Sequence, residues 1–186
     1  MALTALDPKT ALVVIDLQKG IVGYPTVHPV GNVIERSARL AAAFRKRGLP
    51  VVLVNVSGRA PGRTEAATAF SPPPDWTELI PELQAAPDDI RVTKQTWGAF
   101  QNTPLDAELK KRGVTQIVLT GISTSAGVES TARAEYEHGY HVVLVTDAMT
   151  DTNPETHQNS VERIFPRIGE TATTDEVIAM LLTTAG

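Results

Sequence analysis

Cysteine is missing from the 186-residue sequence, which excludes disulfide bonds, thiolate catalysis and cysteine-ligated metal sites. An excess of basic residues is missing too: 17 Lys and Arg face 21 Asp and Glu, so charge does not favour a nucleic-acid partner. No apolar run approaches the roughly 20 residues that span a bilayer, and the amino terminus does not resemble a signal peptide. We therefore expect a cytoplasmic protein that binds neither nucleic acid nor membrane.

Several catalytic motifs are absent as well. No G-x-G-x-x-G or P-loop sequence follows a predicted strand, which argues against dinucleotide and nucleoside triphosphate binding. No G-x-S-x-G is present, so the nucleophile elbow of α/β-hydrolases is not expected. The four histidines show no metal-ligand spacing. We expect neither a metal ion nor an organic cofactor.

What the sequence does contain is an alternation of short apolar runs with helical patterns. The runs predict strands over 11–16, 50–56, 90–94, 116–121, 141–148 and 169–174. The patterns predict helices over 30–48, 103–113, 125–139, 153–165 and 175–182. This order predicts a single α/β domain over residues 1–186: a Rossmann-like three-layer sandwich whose mainly parallel six-stranded sheet has helices on both faces. Residues 57–89 read as a long loop with a helical turn near 77–83.

Chemically active residues follow three of the predicted strands. Ligands of open parallel sheets bind beyond the carboxyl ends of the strands. Asp16 ends the first strand, Lys94 ends the third, and the small, polar stretch 121–130 follows the fourth. A buried carboxylate beside a lysine would have its proton affinity set by that partner. Taken singly, Asp16 fits a cap or turn equally well, a lysine at a strand end is more often a solvated charge, and residues 121–130 also fit a tight turn with a helix cap. Asp147 is interpreted as a strand-end cap.

Four segments resemble, in order, the isochorismatase-like hydrolases, also called the cysteine hydrolase superfamily. They are VVIDLQKG (13–20), VTKQTWGAFQNTPLDAELKKRG (92–113), VLTGISTSAGVESTARAEYEHGY (118–140) and VVLVTDAMTD (142–151). The resemblance implies that Asp16 and Lys94 are catalytic and that the Ile122–Ser123 peptide bond is cis. It also implies a small-molecule substrate and a homo-oligomer.

The sequence departs from the resemblance at the nucleophile. Amidohydrolases of this family use an Asp-Lys-Cys triad, and aligning GISTSAGV (121–128) with its motif puts Gly127 at the cysteine position. The resemblance extends to members without the cysteine, the isochorismatases, which hydrolyse a vinyl ether and form no covalent intermediate. The metal cluster of the nicotinamidase branch has no counterpart in VNVSGRAPGR (54–63), so the resemblance implies no metal.

These observations lead to one main hypothesis and two alternatives. In the main hypothesis Asp16, with a raised pKa, protonates an enol ether. Lys94 orients the Asp16 carboxyl group, and Gly127 leaves room for the substrate. Backbone N–H groups at the following helix start would bind an anionic group of that substrate. The alternatives are an amidohydrolase assisted by a hydroxyl of residues 123–125, and a non-catalytic relative that binds a small molecule or an assembly partner. Candidate substrate contacts are Gln18, Tyr24, Trp76, Trp97, Phe100, Ile122, Ser123 and Ser125, with His28, Arg59 and Arg63 as further candidates.

Overall fold

Six parallel strands form one sheet in the order β3-β2-β1-β4-β5-β6. The structure is a computed structural model that describes residues 3–65 and 71–183. The strands are β1 (Thr10–Ile15), β2 (Val51–Val56), β3 (Ile90–Lys94), β4 (Gln116–Ile122), β5 (His141–Thr150) and β6 (Glu170–Ala172). The predicted single-domain α/β class with a six-stranded sheet is confirmed, and the sheet is parallel throughout.

Helices cover both faces of this sheet. They are α1 (Lys19–Val22), α2 (Val30–Lys46), α3 (Leu105–Lys111), α4 (Glu129–Glu137), α5 (Pro154–Asn159), α6 (Phe165–Ile168) and α7 (Thr174–Thr183). The core under α2 and α7 contains Leu12 and Val14 of β1, whereas the core under α3 and α4 contains Val13 and Ile15. Because alternate residues point to opposite faces, a strand buried on both sides is expected to be largely apolar, as β1 is from Ala11 to Ile15. Within the described residues, no helix combines the length and apolar character that a membrane crossing requires.

Two predicted helices differ from the structure in how they are wound. The helix predicted over 125–139 begins as a π-helical turn, Thr124–Val128, in which the Val128 amide donates to the carbonyl of Ser123, and only then continues as α4. The helix predicted over 153–165 is likewise interrupted by a π-helical stretch, Ser160–Ile164. Hydrophobic periodicity does not encode an i→i+5 hydrogen bond, so the sequence pattern missed both. Such insertions are common at functional sites.

The loop predicted over 57–89 has little regular structure where it is described. The helical turn in its described part is the short 3₁₀ segment Pro81–Leu83, smaller than the predicted 77–83. Leu79 pairs with Gln18 in an isolated antiparallel bridge, so this segment is attached to the chain that follows β1.

The strand order places a crevice between β1 and β4. The chain leaves β1 through α2 toward β2, and leaves β4 through α4 toward β5, so the two connections diverge on opposite faces of the sheet. Ligands of open parallel sheets bind at such a switch point, beyond the carboxyl ends of the strands. Asp16 follows β1 directly, and the Ile122–Ser123 peptide bond, which is cis as the resemblance implied, ends β4.

Candidate active site

Asp16 and Lys94 form a buried ion pair at the carboxyl edge of the sheet. The Lys94 ammonium lies 2.7 Å from Asp16 Oδ2, and the two side chains are only 2% and 7% exposed. The ammonium also donates to the carbonyl of Thr96 at 3.1 Å. Because β2 separates β3 from β1, the lysine side chain must cross the width of one strand to reach the carboxylate. Asp16 itself has φ 53°, a left-handed conformation that is unusual outside glycine.

Burial gives the Asp16 carboxyl group the proton affinity of an acid that works near neutrality. Desolvation raises its pKa to about 6, while the charge and hydrogen bond of Lys94 act in the opposite direction. Its second oxygen, Oδ1, is buried and has no hydrogen-bond partner among the described residues. One oxygen is therefore held by the ammonium, and among the described residues the other has no hydrogen bond that would compete with proton transfer.

Gly127 lies directly beside this carboxyl group. A Cβ atom on residue 127 would come within 3.0 Å of Ile15 Cγ2 and 3.2 Å of Asp16 Oδ2. Gly121 makes a closer approach still: it has φ +120°, and a Cβ there would lie 2.1 Å from the carbonyl oxygen of Ile15. The chain entering the Thr124–Val128 turn is thus packed against the end of β1 with no space for a side chain at Gly121 and little at Gly127.

The residues of the turn are held by the end of β5. Ile122 is buried in the core, and Ser123 and Ser125 are half-buried. The amide of Ser125 donates to Asp151 Oδ2 at 2.7 Å, so this N–H group is already used by the protein and is not available to an anionic substrate. Within the described residues, the hydroxyls of Ser123 and Ser125 hydrogen-bond to no imidazole or lysine that could activate them as nucleophiles.

Two predicted substrate contacts support the site from inside the protein. Gln18 is fully buried, and its amide group binds the backbone N–H and carbonyl of Val56 and the carbonyl of Trp76. Gln18 therefore joins the end of β1 to β2 and to the segment before the 3₁₀ turn. Trp76 is only 8% exposed, and its ring covers Gly20, where a Cβ would be 2.0 Å away.

The other aromatic candidates differ in burial and in neighbours. Phe100 stacks on His138 at a ring distance of 5.1 Å and lies near Tyr140, in the core under α3 and α4. The sequence allowed Phe100 as either a pocket wall or a core residue; the structure places it among core residues, and its contact with substrate stays a prediction. Tyr24 and Trp97 are 50% and 68% exposed on the surface of the chain.

Both candidate arginines lie in the exposed part of the segment after β2. Arg59 lines a groove of about 240 Å³ together with Thr96, whose carbonyl accepts from Lys94. Among the described residues, no three or more His, Asp or Glu side chains are grouped so that they could hold a metal ion.

Sequence reasoning missed two residues that hold the turn, Asp151 and His157. Asp151 is buried and accepts from the amides of Ser125 and Thr152, while the Thr124 hydroxyl lies 2.9 Å from His157 Nδ1. Asp151 directly follows β5, but the predicted strand ended at 148, so the strand-end rule that selected Asp16 pointed to Asp147 instead. No spacing in the sequence pairs Thr124 with His157, which are brought together only by the folding of α5 over the turn. By contrast Asp147 caps α7 by accepting from the amide and hydroxyl of Thr174.

Comparison with known proteins agrees with this architecture. A sequence profile of the isochorismatase domain matches residues 10–176. The chain belongs to the isochorismatase family. YwoC of Bacillus subtilis, an uncharacterized protein of this family, is 43% identical over 178 residues. The alignment covers 91% of this chain and 93% of YwoC. The ureidoacrylate amidohydrolase RutB of Methylobacterium radiotolerans is 31% identical over 215 residues, covering 95% of this chain and 82% of its own.

A solved structure of the isochorismatase family shares the whole fold. The family protein from Burkholderia thailandensis superposes with a TM-score of 0.87 at 44% identity, over 96% of this chain and 98% of the other. Because the family consists of hydrolases and the profile spans most of the chain, the protein is a hydrolase of the isochorismatase family.

Proposed function

We propose that this hydrolase cleaves a vinyl ether of the isochorismate type in a small molecule by proton transfer from Asp16. The observation that carries the proposal is the state of that carboxyl group. It is buried, its pKa is raised to about 6, one oxygen is bound by Lys94, and the other has no partner among the described residues. A general acid needs this combination of proton affinity and a free oxygen.

The reaction begins when Asp16 gives its proton to the terminal carbon of the enol ether. The carbon that bears the ether oxygen becomes an oxocarbenium ion, and the Asp16 carboxylate that remains is stabilised by the adjacent Lys94 ammonium. Water then attacks the cation, and the proton that water loses returns to Asp16. The hemiketal collapses to a ketone and an alcohol, so the net change is the addition of one water across the ether bond.

No step of this route requires a nucleophilic side chain. The sequence has no cysteine, and Gly127 stands where the resemblance places one, against the acid. Amide hydrolysis is the second candidate, because one relative, RutB, is a ureidoacrylate amidohydrolase. That route needs an activated nucleophile. Within the described residues the hydroxyls of Ser123 and Ser125 have no base, and the Thr124 hydroxyl, which contacts His157 Nδ1 at 2.9 Å, is fully buried.

The first prediction concerns the acid itself. Asp16→Asn removes the transferable proton and should lower kcat/KM for a vinyl ether such as isochorismate by about 10²–10⁴-fold. Ser125→Ala is the matched control and should change the rate by only a small factor. Both variants should be assayed against vinyl ethers and against carbamoyl amides, with thermal unfolding to verify folding. A large loss in Ser125→Ala, an acyl adduct on that residue, or full activity in Asp16→Asn would contradict the proposal.

The second prediction concerns pH. With a pKa of about 6, Asp16 holds its proton below that pH and loses it above. About a tenth of the molecules remain protonated one unit higher, so kcat/KM should fall tenfold per pH unit above about 6. A pH–rate profile from pH 4.5 to 8.5 measures this limb. An activity that instead rises through pH 6 would assign Asp16 the role of a base.

A further inference from the structure

The Thr124–Val128 turn is held at its start by two contacts of different kinds. Asp151, at the end of β5, accepts from the backbone amide of Ser125. The fully buried Thr124 hydroxyl forms a hydrogen bond with Nδ1 of His157 on α5. The first contact requires only backbone in the turn, whereas the second depends on the identity of both side chains.

His157 is itself packed against the chain that joins α1 to α2. We call residues 23–29 the strap. The ring of His28 in the strap lies 4.8 Å from the His157 ring, and the His28 amide donates to the Thr150 hydroxyl at 3.1 Å. The Val27 amide donates to the carbonyl of Asp151 at 2.8 Å. The strap is thus fixed to the end of β5, with His157 between it and the turn.

The position of this turn matters for the acid. Three residues after Thr124 the chain reaches Gly127, where the position of a Cβ is 3.2 Å from the Asp16 carboxylate. The turn is one of the surfaces that keep water from Asp16, which is buried. If the start of the turn moved outward, water would reach the carboxyl group and its surroundings would become more polar.

We propose that His157 is a positioning residue of the active site, which holds the turn against Asp16 through the Thr124 hydroxyl and is itself supported by His28. The inference does not depend on which bond the hydrolase cleaves, because it concerns how the acid is enclosed. Burial and the neighbouring His28 lower the pKa of His157, and Asp151 opposes them, so the imidazole is neutral at pH 7. A neutral side chain that offers a polar atom at the place of Nδ1 therefore suffices for the contact.

Four variants separate the hydrogen bond from the packing around it. Thr124→Val removes only the hydroxyl, and His157→Leu removes the ring nitrogen. Thr124→Ser keeps the hydroxyl, and His157→Asn keeps a polar atom near the position of Nδ1. Gln158→Ala, one residue along α5 and on its exposed side, is the control.

The readout is the pKa of the Asp16 carboxyl carbon, followed by ¹³C NMR during a pH titration of each intact protein, with Asp16→Asn used for assignment. Thr124→Val and His157→Leu should each lower this pKa by about half a unit or more, toward the ordinary aspartate value, because water gains access to the group. Thr124→Ser, His157→Asn and Gln158→Ala should leave it near the wild-type value. The double variant Thr124→Val/His157→Leu should shift it no further than either single change, because both break one bond.

Two results would overturn the inference. One is an unchanged Asp16 pKa in Thr124→Val alongside a lowered Tm, which would make the bond purely structural. The other is an equal shift in Thr124→Ser and Thr124→Val, which would assign the effect to packing. Thr124→Val preserves the shape of the side chain, so it decides the question even if His157→Leu does not fold. Since the titration needs no substrate, it is independent of whether the enzyme cleaves a vinyl ether.

Discussion

Adding a single methyl group at Gly127 tests how closely the chain packs against Asp16. In a helical segment alanine is favoured over glycine by up to about 1 kcal/mol. Here the added Cβ would meet Ile15 Cγ2 at 3.0 Å and Asp16 Oδ2 at 3.2 Å. We therefore expect Gly127→Ala to lower the free energy of unfolding by about 1–3 kcal/mol, as overpacked substitutions do, despite its better propensity. Urea unfolding followed by circular dichroism measures this change.

Gly23 provides the matched control. It has φ −82°, and a Cβ there would meet nothing within 4 Å, so Gly23→Ala should leave stability unchanged or raise it slightly. Equal stability of Gly127→Ala and Gly23→Ala would mean that the space beside Asp16 is larger than the structure shows.

Single residues of the site were predictable to the extent that one rule governs them. Asp16 and Lys94 each end a strand, and the carboxyl ends of parallel strands share one edge, so the sequence placed them on the same side of the sheet. The 2.7 Å contact between the Lys94 ammonium and the Asp16 carboxylate was not predictable, because the lysine side chain must extend past β2 to make it. His157 could not be found at all, because its partner Thr124 is 33 residues earlier and on a different element.

At the scale of elements, α4 carries a carboxyl side chain, Glu135, whose burial is unfavourable. Glu135 is fully buried on the helix face that packs against the sheet, and neither carboxyl oxygen has a hydrogen-bond partner among the described residues. Desolvation raises its pKa well above the ordinary value of 4.5. The folded state therefore keeps a proton that the unfolded chain releases above about pH 4.5, and stability falls as pH rises beyond that point.

Replacing this carboxyl group should stabilise the protein. Glu135→Leu removes the unsatisfied polar group and should raise the free energy of unfolding at pH 8 by about 1–3 kcal/mol, with a smaller gain at pH 5. Glu137→Leu, on the exposed side of the same helix, should have almost no effect. Unfolding titrations at the two pH values test this, and a loss of stability in Glu135→Leu at pH 8 would show that the carboxyl group has a partner in solution.

The sequence predicted which segments form strands and helices, but not where the helices become π-helical. The six strands and the long α2 follow from apolar runs and amphipathic spacing, and Asn153 caps α5 as its position before a proline indicates. The π-helical stretches Thr124–Val128 and Ser160–Ile164 and the short α1 were missed. Each is set by contacts with neighbouring elements, such as the hold of Asp151 on Ser125, rather than by local preference.

At the scale of the whole molecule, the strand order assembles the site. The alternation of strands and helices predicts a parallel sheet covered on both faces, but not the order that makes β1 and β4 neighbours and creates the switch point. That order brings the ends of β1, β4 and β5 together, with β3 contributing one long side chain. The expected homo-oligomer and cytoplasmic location stay predictions.

Breaking the Asp16–Lys94 ion pair at the carboxyl edge of this sheet should make the stability of the protein depend on pH. Lys94→Met removes the charge that lowers the pKa of Asp16, so that pKa rises further. The folded protein then keeps its proton to higher pH while the unfolded chain ionises near 3.8, and stability declines as pH increases. Unfolding titrations should show a loss of about 3–5 kcal/mol at pH 8 and a clearly smaller loss at pH 5, where protonation neutralises the isolated carboxylate.

Lys110→Met is the matched control for that experiment, because its ion pair with Asp106 has the same 2.7 Å separation but a lysine that is 59% exposed. Solvent screens such a pair, so its loss should cost no more than about 1 kcal/mol at either pH. In the double variant Asp16→Asn/Lys94→Met no charge is left uncompensated, and much of the lost stability should return. If Lys94→Met lowered the free energy of unfolding equally at pH 5 and pH 8, Asp16 would not be taking up a proton in this range. A carboxyl group that stays ionised in its buried position could not serve as the acid of the proposed reaction.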